Sequence, residues 1–296
     1  MEILFKTIGL FGKTNAKDYT DILSSIYQHL SDELELMVIV EDQSVPYLTN
    51  SQSDHCPLSE LGGNCDLVIS IGGDGTFLTA ARSLSPHDVP IVGVNLGRLG
   101  FLVDISPNEV AVKIDEILGG EYLPEERFLL RAKIVRNGQI IRTQTAMNEV
   151  VVQRSTTASM LELKTHINGV FLNSQRSDGL IVSTPTGSTA YALSGGGPIL
   201  HPTLNALVLV PINPHTLSNR PIVISSNSTI EITFCQDKHI KSQVTCDDLA
   251  ILDVRIDDRI MIEQEPDPIR ILHPCNHDFY ETLRAKLNWS SGYNHS

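Results

Sequence analysis

Residues 66–83 read "DLVISIGGDGTFLTAARS". An apolar run ends in two glycines, an aspartate, a third glycine and a threonine, and a helical pattern follows. A strand, a glycine-rich turn and a helix in that order point to an α/β sheet, where ligands bind at such turns. The turn is not the G-x-G-x-x-G fingerprint, because Leu78 stands where its third glycine would be. Three glycines let the backbone approach a ligand closely and permit positive φ. The start of the helix offers free N–H groups to an anion. Gly72, Gly73, Gly75 and Thr76 are therefore a candidate phosphate loop. Asp74 has two readings, a turn or N-cap residue and a group that meets a substrate.

Around this stretch the first third of the chain alternates strand and helix patterns. "EILFKTIGLF", "LELMVIV", "CDLVISI" and "VPIVGVNL" read as strands, and "AKDYTDILSSIYQHL" and "FLTAARSL" as helices. Short apolar runs alternating with helices predict a parallel sheet with both faces covered. After about Glu125 the pattern changes. Asn137-Gly138 and Asn168-Gly169 each separate two strand-like runs, which is the signal of a type I′ hairpin. "RPIVISSNSTIEITFC", "DLAILDVRI" and "RIMIEQ" add further strands. "HDFYETLRAKLNW" reads as an amphipathic helix with Phe279, Leu283 and Leu287 on one face.

The expected architecture is an α/β N-terminal domain with a parallel, Rossmann-like sheet at 1–124. A β-rich, sandwich-like domain follows at 125–276. A C-terminal helix at 277–296 returns to the first domain.

The chain has 296 residues, 41% of them hydrophobic and 19% charged, which describes a globular protein with ample core. A formal charge of −13 argues against non-specific binding of nucleic acid or an anionic membrane. No apolar run approaches the ~18 residues of a membrane span, and the N-terminus lacks the pattern of a signal peptide. Five cysteines form no CxxC pair, and no histidine pair sits at zinc spacing. Free thiols and a cytoplasmic location are expected.

Three more stretches carry chemistry. "GLFGKT" (9–14) resembles a P-loop, but has two residues where the Walker pattern needs four between Gly and Gly-Lys. "SDGLIVSTPTGSTAYALSGGGPIL" (177–200) runs from a strand through hydroxyl-rich residues to three glycines, and suits phosphate or ribose binding as well as a long turn-rich loop. In "MNEVVVQR" (147–154), Asn148 and Glu149 interrupt an apolar run and are costly if buried without partners. They are either an edge-strand polar pair or a pair that reads a base and a ribose diol. His215 is read as structural.

Together, "GGDGTFL", "NLGRLGFL", "NEVV", "DGLIVSTPTGSTAYALSGGGPI" and "PHTLSNRPIV" resemble the NAD kinase family, also called ATP or polyphosphate-dependent NAD kinases. "FYETLRAKLNW" is similar to bacterial members. "GGDGT" alone is shared with lipid and sugar kinases, whereas the 178–198 block is more specific. The resemblance implies NAD bound between an α/β and a β-rich domain, in a homodimer or homotetramer. It implies phosphoryl transfer from ATP, with a divalent cation (Mg or Mn) on the ATP phosphates, to the 2′-hydroxyl of the adenosine ribose of NAD. No metal site formed by the protein is implied.

Carried over by position, the resemblance implies the following roles: Asp74 as the proton acceptor, with Gly75 beside it. Asn148 and Glu149 contact the dinucleotide, and Asp178 lies near its nicotinamide end. Thr189, Ala190, Tyr191 and Ser194 line the adenine-ribose side, and Arg176 and Ser159 are further contacts. A bulky basic residue at position 176 goes with preference for NAD over NADH. Two departures stand out: the family's Asp-Gly-Gln is here Asp247-Asp248-Leu249, and Asn213 replaces the usual hydrophobic residue or Cys before "PHT". Two other functions share parts of this pattern. They are a lipid or sugar kinase built on the same "GGDGT" turn and a non-catalytic NAD-binding sensor.

Overall fold

The apolar runs of the first third assemble side by side, in parallel, as their continuous burial requires. The computed structural model describes residues 3–14, 18–49, 53–97, 100–155, 160–216, 218–235, 242–251 and 254–289. The chain divides into two units, Met1–Glu126 with Ile269–Ser296, and Arg127–Pro268.

In the first unit, β1 (Thr7–Gly12), α1 (Tyr19–Gln28), β2 (Met37–Glu41), β3 (Asp54–Cys56) and α2 (Leu58–Asn64) come first. Next are β4 (Leu67–Gly72), α3 (Asp74–Leu84), β5 (Ile91–Asn95), α4 (Val110–Leu118) and β6 (Tyr122–Arg127). The sheet order is β3-β2-β1-β4-β5, then the strand Ile269–Pro274, then β6. The first five strands pair in parallel, and Ile269–Pro274 adds in parallel to β5. The return to the first unit thus begins at Ile269, rather than with the helix at 277. "PIRILHP" has no helical period, so sequence alone could not say which sheet it joins.

Ile8, Leu10, Leu67, Ile69 and Ile71 from the central strands pack with Tyr19, Leu23 and Ile26 of α1 and Ile114 and Ile117 of α4. Strand order reverses between β1 and β4, the point at which open α/β sheets bind ligands beyond their strand ends. The turn at Gly73 follows β4 at that end.

The second unit is two six-stranded sheets. One runs Val170–Ser177, Leu161–Ile167, Ile230–Phe234, Arg259–Gln264, Leu130–Arg136, Gln139–Ala146. The other runs Ile222–Ser225, Ala206–Ile212, Gly179–Ser183, Glu149–Arg154, Ser242–Cys246, Leu249–Ile251. Their strands pair antiparallel. Alternate residues such as Ile134, Val150, Val152, Leu163, Val182 and Ile232 fill the core between them. Val151, Ile181, Val208 and Val210 face the other way and pack under Ala192 and Leu200. The strand Gly179–Ser183 is therefore buried along its whole length. Both Asn-Gly turns have positive φ at each residue, 50° and 80° at 137–138 and 52° and 78° at 168–169.

Candidate active site

In the first unit the site is built on the turn from β4 to α3. Gly73 is the N-cap residue and Asp74 the first residue of α3. Asp74 does not cap the helix. Its Oδ2 accepts from the backbone N–H of Phe101 at 3.0 Å, and its Oδ1 from that of Leu102 at 3.0 Å. The carboxylate thus braces the 100–102 loop and is itself held in one orientation by two charge-assisted bonds. A Cβ at Gly100 would run into this carboxylate.

None of Gly72, Gly73 or Gly75 has positive φ, so conformational freedom is not what the turn requires of them. Gly72 is needed for space, since a Cβ there would strike the Thr76 side chain. Gly73 and Gly75 are different. A Cβ at either would meet no protein atom within 4 Å. The fold supplies no internal reason for these two glycines, and they border open space beside Asp74. The Thr76 N–H already meets the Gly73 carbonyl at 2.9 Å, and the N–H groups of Asp74 and Gly75, which precede the helical ladder, suit an anion. By contrast, the glycines of "GLFGKT" are explained by packing: Gly9 lies against Leu61, and Gly12 against Tyr19.

In the second unit the site centres on the start of the strand Glu149–Arg154. Glu149 is only 6% exposed, and its Oε2 has no hydrogen-bond partner. Burial, reinforced by the Asp247 carboxylate, pushes its carboxyl up to about 8, against a partial offset from the Tyr191 N–H. At neutral pH this group is a buried neutral acid, able to donate as well as accept.

Asp247 organises the same segment. Its carboxylate accepts from the N–H groups of Met147 (3.0 Å), Asn148 (2.8 Å) and Glu149 (3.2 Å). Asp247, part of the departure at 247–249, is a site residue that the sequence pattern does not single out. Its one local signal is a polar "CDDL" turn, where Asp247 takes φ 53°.

The 183–200 segment uses its hydroxyls differently from expectation. Thr184 Oγ1 donates to the Met147 carbonyl at 2.6 Å, Ser188 Oγ to that of Pro185 at 2.6 Å, and Ser183 Oγ to that of Thr184 at 3.0 Å. These three are buried and hold the loop together, so they are not phosphate ligands. The loop instead presents Thr189, Ala190, exposed Tyr191 and exposed Ser194 at the short helix Tyr191–Ser194, whose first N–H meets Glu149. Asn148, Glu149, Tyr191 and Asp247 are thus brought together.

Asp178 stands apart from this group. It pairs with Arg154 at 3.0 Å and accepts from Asn213 Nδ2 at 3.0 Å. Asn213 therefore has a local role at its unusual position: it sits at φ 45° and fixes Asp178. Arg176 projects from a strand edge, its Nε 3.7 Å from Glu162, with a 72% exposed side chain. Ser159 lies outside the described residues.

Comparison with known proteins identifies the family. The ATP-NAD kinase N-terminal domain matches residues 8–122 and the ATP-NAD kinase C-terminal domain residues 147–273. An NAD kinase of Methylococcus capsulatus is 55% identical over 288 residues, covering 97% of this chain and 98% of that one. An NAD kinase of Nitrosomonas europaea is 45% identical over 287 residues, covering 97% and 96%. An Archaeoglobus fulgidus NAD kinase in complex with ATP superposes with a TM-score of 0.72 at 28% identity, covering 95% of this chain and 98% of that one. A yeast NADH kinase complexed with NADH shares the fold, with a TM-score of 0.89 at 23% identity over 98% and 89% of the two chains. With both domains matched and relatives this similar over nearly the whole length, the chain belongs to the ATP-NAD kinase family.

Proposed function

We infer that this protein is an NAD kinase that transfers the terminal phosphoryl group of ATP to the 2′-hydroxyl of the adenosine ribose of NAD, giving NADP. One observation carries the reading. Two glycines that the fold does not need, Gly73 and Gly75, border open space beside an aspartate whose orientation is fixed. The N–H groups at the start of α3 and the uncrowded glycines suit a triphosphate. A divalent cation on the ATP phosphates supplies charge neutralisation when bound. Phosphoryl transfer passes a loose transition state in which positioning dominates, so little basicity is asked of Asp74. Asp74 receives the 2′-hydroxyl proton on a lone pair not used by Phe101 or Leu102.

The dinucleotide is held by Asn148, Glu149, Asp178, Thr189, Ala190, Tyr191 and Ser194, with Arg176 as an outer contact. Glu149 supports this role, because an unpartnered buried carboxyl acquires a partner when a ribose hydroxyl arrives. The enzyme works as a homodimer or homotetramer. Exposed Val170 and Phe171 on one sheet edge, and Ile222 and Val223 on another, support self-association. The cytoplasm is its compartment, in keeping with five unbridged cysteines. Among the described residues no helix is long and apolar enough to cross a membrane.

The test is incubation with labelled ATP and magnesium, offering either NAD or a diacylglycerol as acceptor. Label is expected on NAD alone and only without excess chelator. Label on the lipid, or full transfer in chelator, overturns the reading.

A further inference from the structure

Away from the residues assigned above, the first unit gathers two histidines and two carboxylates where its last strand turns toward the C-terminal helix. His273 is the penultimate residue of the strand Ile269–Pro274, and His277 sits in the turn before the helix Phe279–Leu287. Asp104 comes from the segment after β5, two residues beyond the loop that Asp74 braces. Nδ1 of His273 and Nδ1 of His277 each lie 2.8 Å from the same atom, Asp104 Oδ2. The two rings stack at 3.9 Å with 21° between their planes. His273 is 1% exposed, and its Nε2 lies 3.1 Å from Glu125 Oε2.

We propose that Asp104, His273 and His277 form a binding site for a divalent transition-metal ion of the zinc class. Three ligand atoms, one from each residue, lie within 4.8 Å of one another. The donor set of two imidazoles and one carboxylate is that of a zinc site with an open position. Glu125 stands where such sites place an orienting carboxylate: it takes the Nε2 hydrogen of His273 and leaves Nδ1 as the ligand. A tetrahedral ion with bonds of about 2.0–2.2 Å separates its ligand atoms by roughly 3.3–3.6 Å. The ion therefore replaces the two imidazole hydrogens now aimed at Asp104, with the carboxylate withdrawing by about 0.5 Å.

The fourth position has somewhere to open. A cavity of about 150 Å³, lined by Asp104, His277, Asn276, Asp278 and Glu281, lies beside the cluster and admits water. The ligands come from two stretches of chain, Asp104 from the segment after β5 and the two histidines from the last strand and the turn that follows it. A bound ion ties the C-terminal helix to the sheet and to the segment that continues from Phe101 and Leu102.

The experiment uses the full chain, stripped with chelator and free of nucleotide. Zinc is titrated by calorimetry, cobalt is followed by absorption, and melting is recorded with and without zinc. One equivalent is expected to bind, raise the melting temperature, and give tetrahedral cobalt bands without a thiolate charge-transfer band. His277→Gln and Glu125→Gln are each expected to weaken binding by ~10–100-fold, the usual range for a lost orienting partner and a lower bound for a lost ligand. Cys275→Ser, which changes the exposed thiol between the two histidines, is expected to bind as the parent does. Circular dichroism confirms that the variants fold. No binding by the parent chain, equal binding by folded His277→Gln, or a thiolate band would overturn the site and leave only a hydrogen-bonded cluster.

Discussion

Asp74 fixes the 100–102 loop through two N–H groups, and the same bonding holds its carboxylate in one orientation, which the proposed role of proton acceptor requires. In Asp74→Asn the amide NH₂ replaces one acceptor and faces a backbone N–H. We expect NAD binding to persist while turnover falls by ~10²–10⁴, the usual worth of a positioned proton acceptor; steady-state kinetics with calorimetric binding checks this. Gly75→Ala separates ligand space from fold. Ala is the better helix former by ~0.5–1 kcal/mol, so the melting temperature is expected to hold or rise while kcat/KM drops. A variant with parental kcat/KM would show that the space beside Gly75 is unused. Glu149 gives a pH signature. The folded chain keeps a proton that the unfolded chain releases above about 4.5, so stability falls as pH rises from there to about 8, then levels. Glu149→Gln is expected to flatten the melting profile across that interval, and parallel profiles would contradict it. Asn148 and Glu149 were legible in the sequence as a polar break in an apolar strand. Asp247 was not, because the N–H groups it accepts lie 98 to 100 residues away.

At the scale of elements, legibility followed local chemistry. The Asn-Gly hairpins were readable because only a few residues tolerate two successive positive φ angles. Gly138→Ala and Gly169→Ala are each expected to cost about 1 kcal/mol, measured by denaturant unfolding. The strand β3 was missed because "DHC" has no apolar alternation. It lies at a sheet edge and is held by backbone pairing to β2. Helix α4 buries Val110, Ile114, Ile117 and Leu118 on one face, at a helical spacing that is present in the sequence. The hydroxyls of 183–188 misled for a physical reason. Ser and Thr bond local backbone as readily as they bond ligands, and only the three-dimensional path decides which.

At the scale of the molecule, the first unit is closed by residues that arrive after the whole of the second. Ile269, Ile271 and Leu272 are buried in a strand set between β5 and β6, and Leu283 of the C-terminal helix is buried as well. Removing 269–296 is expected to unfold the first unit while Arg127–Pro268 keeps its core, which limited proteolysis would reveal as one protected fragment. Two equally protected units would contradict that dependence. The remote motifs identified the family because they recur in order along the chain, although local chemistry alone left each with two readings. Together these pieces are expected to make NADP. The most direct measurement mixes the purified chain with NAD, ATP and magnesium and follows product with a dehydrogenase that accepts only NADP. Continuous, chelator-sensitive signal from NAD is predicted; no signal at high enzyme, with NAD still bound, would contradict the account and leave a dinucleotide sensor.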